Sequence, residues 1–430
     1  MRLFAATIIL LICVSTSYAS LDYSKIDPGV EIRGIWIDAG AIPKTVPKIR
    51  EMVHKYAHAN FNLLIPETIC RGYAIYPSTV IARDPRFAGA ADPLPIIISE
   101  AHKLGIEVHP WVWVFRAGYT KDKGAILAAH PAWAELDRDG EALSPNGGYW
   151  ISPANMQARD FLAELFAELI CKYDVDGLHL DYIRYETEDK KPFGYSPDSI
   201  SLFKKQYGID PIDIEPGSPD QYYWNKFRER LVNTFMQRIY LQTKSLRPDV
   251  LVSAAVGSYP PDARLHLLQN WSNWAANGWL NYIAPMSYSS DDGHFGRLIM
   301  RQKEALAGDA LLAEGIGMYV HKETSQTTAQ IAKSREMGAQ GQIMFAASYA
   351  DSGRLNALRC GAYSTPASLP FRDPQSAIDK LKKYADYARV KGDAELADFY
   401  FAETATIYNY VQSLHPKPYV VPTPPPLKQK

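Results

Sequence analysis

The chain has 430 residues, a formal net charge of −1 and charged residues making up 22% of it, spread along its length. That length accommodates one large domain or two ordinary ones. The charge balance excludes the polybasic surface of a nucleic-acid binder, so no nucleic-acid partner is expected.

The first nineteen residues read as a secretory signal peptide: Arg2, the apolar run Leu3 to Val14, then small residues at Ser17-Tyr18-Ala19 for cleavage. The run is shorter than the roughly twenty residues a bilayer span needs. Cys13 invites lipidation, but Ile12 stands before it where a small side chain is required. The expectation is export to the periplasm or cell envelope, with a mature N-terminus near Ser20. Cleavage leaves Cys70, Cys171 and Cys360, an odd count that makes no complete disulfide framework, although two of them could pair. Neither CxxC nor HExxH spacing occurs, so neither metal nor cofactor is expected.

From Glu31 to Tyr349, short apolar runs alternate with longer amphipathic stretches. The pattern predicts a first strand over Ile32 to Asp38 and a helix over Thr45 to Ala59. The second strand is Asn62 to Glu67, with a helix over Pro93 to Leu104, and the third is Glu107 to Val114. After a long loop, Asn155 caps a helix over Met156 to Tyr173. The fourth strand is Gly177 to Tyr182, followed by an excursion and a helix over Trp224 to Leu246. Val250 to Ala255 is the fifth strand, with a helix over Leu265 to Asn277, and Tyr282 to Met286 is the sixth. The seventh is Leu311 to Ile316, with a helix over Ser325 to Met337, and Gln342 to Ala347 is the eighth.

Eight strands trailed by helical sequence predict an α/β fold, a (β/α)₈ TIM barrel over residues 31–366. The competing open sheet would carry a glycine-rich phosphate loop after the first strand, and none is there. A helical extension is predicted over 373–415, as Pro374 to Lys391 and Asp393 to Leu414, with Asp373 capping the first helix. The proline-rich residues 420–430 lack the apolar content to pack and read as a disordered tail.

In such a barrel, chemistry sits at the C-terminal ends of the strands. On the fourth strand, alternation puts Gly177, His179 and Asp181 on one face and Leu178 and Leu180 on the other. The leucines suit the helix layer, so Asp181 should stand at the rim with His179 one layer below. A carboxylate there can protonate a leaving oxygen, abstract a proton or stabilise a cationic transition state. The bland reading is an aspartate locked to Arg184 or His179 for structure. Other strand ends carry Asp38, Glu67, Arg71, the alternating His109, Trp111 and Trp113, Met286, Tyr288, Glu314, Tyr319 and Tyr349. Singly, each suits packing; together they describe a cleft of carboxylates and rings, which is what sugar faces and hydroxyls require.

These residues resemble the family 10 glycosyl-hydrolase-like proteins. The resemblance is carried by Arg33-Gly34-Ile35-Trp36, by Asn62 to Glu67 with Arg71-Gly72 and Ala74 to Ser78, and by Ala101 to Trp111. It continues most specifically in Tyr173 to Tyr185, then in Val252 to Val256 and Tyr282 to Tyr288. It implies a barrel acting on bacterial glycans, in the best-understood branch peptidoglycan strands stripped of stem peptides. The chain departs from the pattern at Glu67, where relatives often have glutamine, and at Glu186, where a proline usually follows the arginine-tyrosine pair. Chitinase-type chemistry would need a glutamate at Ile183, and starch-hydrolase chemistry a glutamate on the fifth strand near Ser253 and Ala255.

The resulting expectation is a cofactor-free glycoside hydrolase with Asp181 as principal carboxylate and Glu67 and Glu314 competing for the second role. Tyr182, Arg184 and Tyr185 would position substrate or tune Asp181. The alternatives are a glycan-binding barrel without catalysis, or a hydrolase of another exopolysaccharide.

Overall fold

Strands that are buried on both faces need continuous Val, Ile and Leu runs, and the eight runs read from the sequence pair in parallel in chain order. The computed structural model describes residues 28–187, 191–306, 310–372 and 374–413. Its barrel strands are β1 (Ile32–Ile37), β2 (Leu63–Cys70), a divided β3 (Glu107–Val108 and Trp111–Trp113) and β4 (Gly177–Asp181). β5 (Leu251–Val256), β6 (Tyr282–Pro285), β7 (Leu311–Gly317) and β8 (Gly341–Phe345) complete it. β1 pairs with both β2 and β8, Gly34 opposite Leu63 and Ile32 opposite Gly341, so the sheet closes. The fold is the expected (β/α)₈ barrel.

Several of the helices between the strands start where a capping side chain stops the extended chain. Asn155 accepts from the Ala158 amide at the head of Met156–Lys172, and Asp92 accepts from Leu94 at the head of Pro93–Lys103. Three expectations are corrected in detail. β3 is broken because Pro110 has no N–H to give the ladder, although its carbonyl still accepts from His179 at 2.9 Å. The helix expected over Leu265 to Asn277 is two, Pro260–His266 and Trp271–Ala276, separated by Leu268 at φ 52°. The long helix begins earlier, at Pro219, where Ser218 caps it by accepting from Gln221. The hairpin of Arg116–Tyr119 with Gly148–Trp150, and the helices Pro197–Tyr207, Asp292–Ala305 and Ser352–Cys360, were not expected from the pattern.

Residues paired across a parallel ladder share a face, so the register defines the barrel interior. Trp111, His179 and Ser253 are successive partners across β3, β4 and β5, and Ser253 is opposite Tyr282 on β6. These side chains form a directed chain of hydrogen bonds. The Trp36 indole N–H donates to His179 Nε2 at 3.0 Å, which leaves Nδ1–H of His179 to donate to Ser253 Oγ at 2.9 Å. Tyr282 Oη lies 2.9 Å from His109 Nδ1, and His109 Nε2 lies 3.1 Å from Glu107. Gly177 is required beside this chain, because a Cβ there would meet the His109 ring at 2.6 Å. Phe371 stacks on Tyr282, centroids 5.6 Å apart, at the end of the barrel away from the rim.

At that same end Glu31 accepts from Arg33 Nε at 2.8 Å, from Arg335 Nε and Nη2 at 2.7 Å each and from Gln342 at 3.0 Å, all buried. The helices Pro374–Val390 and Ala394–Ser413 pack against each other, and Tyr410 contacts Asn281 Nδ2 at 3.2 Å. Asp393 precedes the second helix and caps it through Leu396, so the helix starts one residue later than expected. Cys70 is buried and Cys171 and Cys360 are exposed, all three as free thiols. The expected signal peptide with Cys13, the capping role of Asp373 and the tail over 420–430 lie outside the described residues.

Candidate active site

Alternation carries Trp36 inward on β1 and therefore places Asp38 inward one step above it; the same logic places Glu67 inward on β2, opposite Trp111. Trp113 on β3 is opposite Asp181 on β4, so the indoles and the carboxylates meet at the C-terminal rim. Asp181 is 5% exposed and both its oxygens accept hydrogen bonds, Oδ2 from the Trp111 indole at 3.0 Å and Oδ1 from its neighbour's amide, Tyr182 N–H, at 2.6 Å. Tyr182 holds φ at 52°, a left-handed conformation uncommon for a bulky residue, and it ends the strand at the site.

Burial pushes the Asp181 carboxyl up to about 6, against the pull of the Arg184 cation, the two N–H donors and Arg116. Glu67 is raised as well, first by burial; the Ala39 amide, which donates to Oε2 at 2.9 Å, and Arg86 oppose this, while Asp38 and Asp181 add to it. Glu67 thus lies within the field of both Asp38 and Asp181. Asp38 is partly exposed and accepts from Ser348 N–H at 3.3 Å.

Two aromatic walls flank these carboxylates. On one side Tyr182 lies 4.9 Å from Trp113 and 5.8 Å from Trp150, and Tyr119 lies 5.6 Å from Trp113, by ring centroids. On the other, Phe345 lies 5.1 Å from Tyr288, 6.0 Å from Tyr319 and 6.3 Å from Trp111, and Tyr349 stands 5.8 Å beyond Tyr319. Tyr119, Tyr319 and Tyr349 are exposed, so each offers a face to a ligand. Met286 is only partly buried where β6 ends.

Several expected site residues are placed elsewhere. Glu314 sits on β7 between Ala313 and Gly315, which face the interior, so it points to the helix layer; there Ser287, which accepts from Gln302, faces it. Its burial is complete and pushes its pKa up to about 8, but it does not reach the cleft. His179 and His109 face inward as expected, yet both are fully buried below the rim, and burial pushes His179 down to about 3, neutral at physiological pH. Tyr185 is buried with the Arg228 guanidinium 5.7 Å from its ring centre, away from Asp181. Arg71 stands between Asp84 at 3.6 Å and Asp122 at 3.9 Å. Glu186 accepts from Ser144 at 2.6 Å and Trp150 at 2.9 Å, and so ties the hairpin to the strand end.

The sequence reading missed Arg116, Tyr119, Trp150 and Phe345. Phe345 was available from alternation along the eighth strand. The other three belong to a hairpin whose halves are some thirty residues apart, a pairing no local periodicity announces.

A closed eightfold barrel with a buried carboxylate at the end of its fourth strand, between aromatic walls, has the layout of the glycoside-hydrolase-like barrels. The chain belongs to the family described as Glycosyl hydrolase-like 10, which matches residues 31–336. It is 25% identical over 243 residues to "Glycosyl hydrolase DigH" of Escherichia coli (strain K12), covering 50% of this chain and 52% of that protein. Against "Glycosyl hydrolase YngK" of Bacillus subtilis (strain 168) it is 25% identical over 238 residues, 50% of this chain and 41% of that one. The match therefore spans about half the length of these curated relatives or less. Among solved structures, the PgaB (BpsB) glycoside hydrolase domain from Bordetella bronchiseptica shares the fold, with a TM-score of 0.61 and 15% identity over 77% of this chain and 98% of that one.

Proposed function

We propose that this protein is exported to the cell envelope and hydrolyses glycosidic bonds of a bacterial cell-wall glycan, peptidoglycan strands lacking stem peptides. The observation that carries the hydrolase reading is Asp181, a buried rim carboxyl held near 6 beside the second inward carboxyl, Glu67. Glycoside hydrolysis generally uses two such groups. Asp181 protonates the leaving oxygen as the glycosidic C–O bond breaks. Glu67, whose Oε2 is anchored by Ala39, takes a proton from the water that adds to the anomeric carbon. The exposed tyrosines extend the cleft beyond one sugar, which suits a polymer, and bulky stem peptides would collide with its walls.

The test is release of soluble, peptide-free fragments from purified denuded sacculi, with far weaker release from intact sacculi. Binding to denuded glycan without any release would establish the non-catalytic reading instead, and release from another exopolysaccharide alone would overturn the substrate.

The role of Asp181 also has a pH signature. An acid must start protonated, so kcat/KM should fall as pH rises through about 6. Arg184 is foremost among the groups holding that pKa down, so Arg184→Met should move the limb to higher pH. A pH–rate profile on both proteins decides this; a limb that stays in place or moves down would exclude Asp181 as the titrating acid.

A further inference from the structure

The wall that carries Tyr182 holds more positive charge than the proposed hydrolysis needs. The Arg116 guanidinium lies 4.4 Å from the ring centre of Tyr119, 5.1 Å from that of Tyr182 and 5.8 Å from those of Trp113 and Trp150. Arg184 lies 5.1 Å from the Tyr182 centre and 5.2 Å from that of Trp150. Two cations thus share the same two rings. Neither makes an ion pair within 4 Å among the described residues; Arg184 donates only to the Tyr185 carbonyl, at 3.0 Å. Two nearby acids among the described residues are otherwise engaged: Asp181 accepts from Trp111 and Tyr182, and Glu186 from Ser144, Trp150 and the Thr187 amide.

Three donors on this wall are buried with no acceptor among the described residues: Arg116 Nε, Arg184 Nε and the indole N–H of Trp113, a residue only 6% exposed. Buried donors are nearly always paired, and a cluster of three orphans at one wall of a cleft marks the place of an absent acceptor. Rings hold the two guanidinium planes without neutralising them.

We infer that Arg116, Arg184 and Trp113 form a subsite for a carboxylate carried by the sugar bound next to Asp181, so that the protein selects acidic over neutral glycan. A fork of guanidinium donors fits a planar carboxylate better than a hydroxyl. The inference rests on the cleft being a glycan site but not on catalysis. The carboxylate has two possible sources: the lactyl ether of a muramic acid, exposed once stem peptides are gone, or a hexuronic acid.

Calorimetry in an Asp181→Asn background, which stops turnover, tests it with three tetrasaccharides. One alternates N-acetylglucosamine and N-acetylmuramic acid without peptides, one is chitotetraose, with the same amino-sugar backbone and no carboxylate, and one is tetragalacturonate. A carboxylated sugar should bind more tightly than chitotetraose by on the order of ten- to a hundredfold, the scale of a hydrogen bond to a charged group. Whichever acidic sugar binds identifies the source. Adding Arg116→Met should bring the ratio near one, and Arg116→Lys should restore part of it, with circular dichroism confirming that each protein is folded. Equal binding of neutral and acidic sugars, a ratio that survives Arg116→Met, or no binding of any of the three would overturn the subsite. Selective binding by a protein whose parent releases nothing from any glycan would overturn only the hydrolase reading.

Discussion

Asp181→Asn should fold normally, still bind glycan and lose about two to four orders of magnitude in turnover, the range a positioned acid contributes. Asparagine keeps the shape of the side chain, and its carbonyl oxygen can still accept from Trp111 or Tyr182, so the rim stays assembled. What goes is the transferable proton and the charge left behind when it departs. Dye release from denuded sacculi, run beside circular dichroism, gives the answer. A folded variant with near wild-type release would make Asp181 a structural residue, held for the sake of Arg184 and the two N–H donors.

The second large effect lies at the opposite end of the barrel and concerns stability alone. Glu31 is the shared counter-charge of Arg33 and Arg335, all of them at most 2% exposed. Glu31→Gln keeps the volume but leaves two buried guanidinium groups without it, and breaking a buried pair in this way costs roughly 3–5 kcal/mol. For a protein of this size the melting temperature should fall by roughly 4–6 °C. Burial alone would raise the Glu31 pKa, but the two arginines outweigh it and hold the carboxyl below the ordinary glutamate range. The stabilisation is therefore complete above the unfolded-state value and is lost as pH falls through the lower folded value. The wild type should lose this increment under acid, and the variant, lacking it, should show a shallower acid dependence. Differential scanning calorimetry against pH measures both; a melting point within about 2 °C of wild type at pH 7 would show that the arginines are satisfied elsewhere.

The barrel was legible because each unit repeats one physical pattern, an apolar run bounded by turn residues and then an amphipathic helix. Asp181 and His179 could be oriented from Leu178 and Leu180, the two leucines that alternate with them, alone. Glu314 could not, since the residues around it, Ala313, Gly315 and Gly317, are too small to advertise which face is the core. Its place followed only once β7 was registered against β8. Arg116 escaped for a different reason: its role comes from the pairing of Arg116–Tyr119 with Gly148–Trp150, strands some thirty residues apart. Choosing between Glu67 and Glu314 and finding the basic wall therefore needed the tertiary structure, whereas the placement of Asp181 did not.

The hydrogen-bonded interior beneath the rim has a consequence for the proposed role of Asp181. From Trp36 through His179, Ser253, Tyr282 and His109 to Glu107, the inward polar groups are occupied with one another. Asp181 does not belong to that column. Its own partners, an indole and a backbone amide, hold their protons far too tightly to give them up. In the proposed reaction the acid is therefore recharged across the cleft, from solvent or from the proton that Glu67 takes up, and a long glycan still filling the cleft would slow that return.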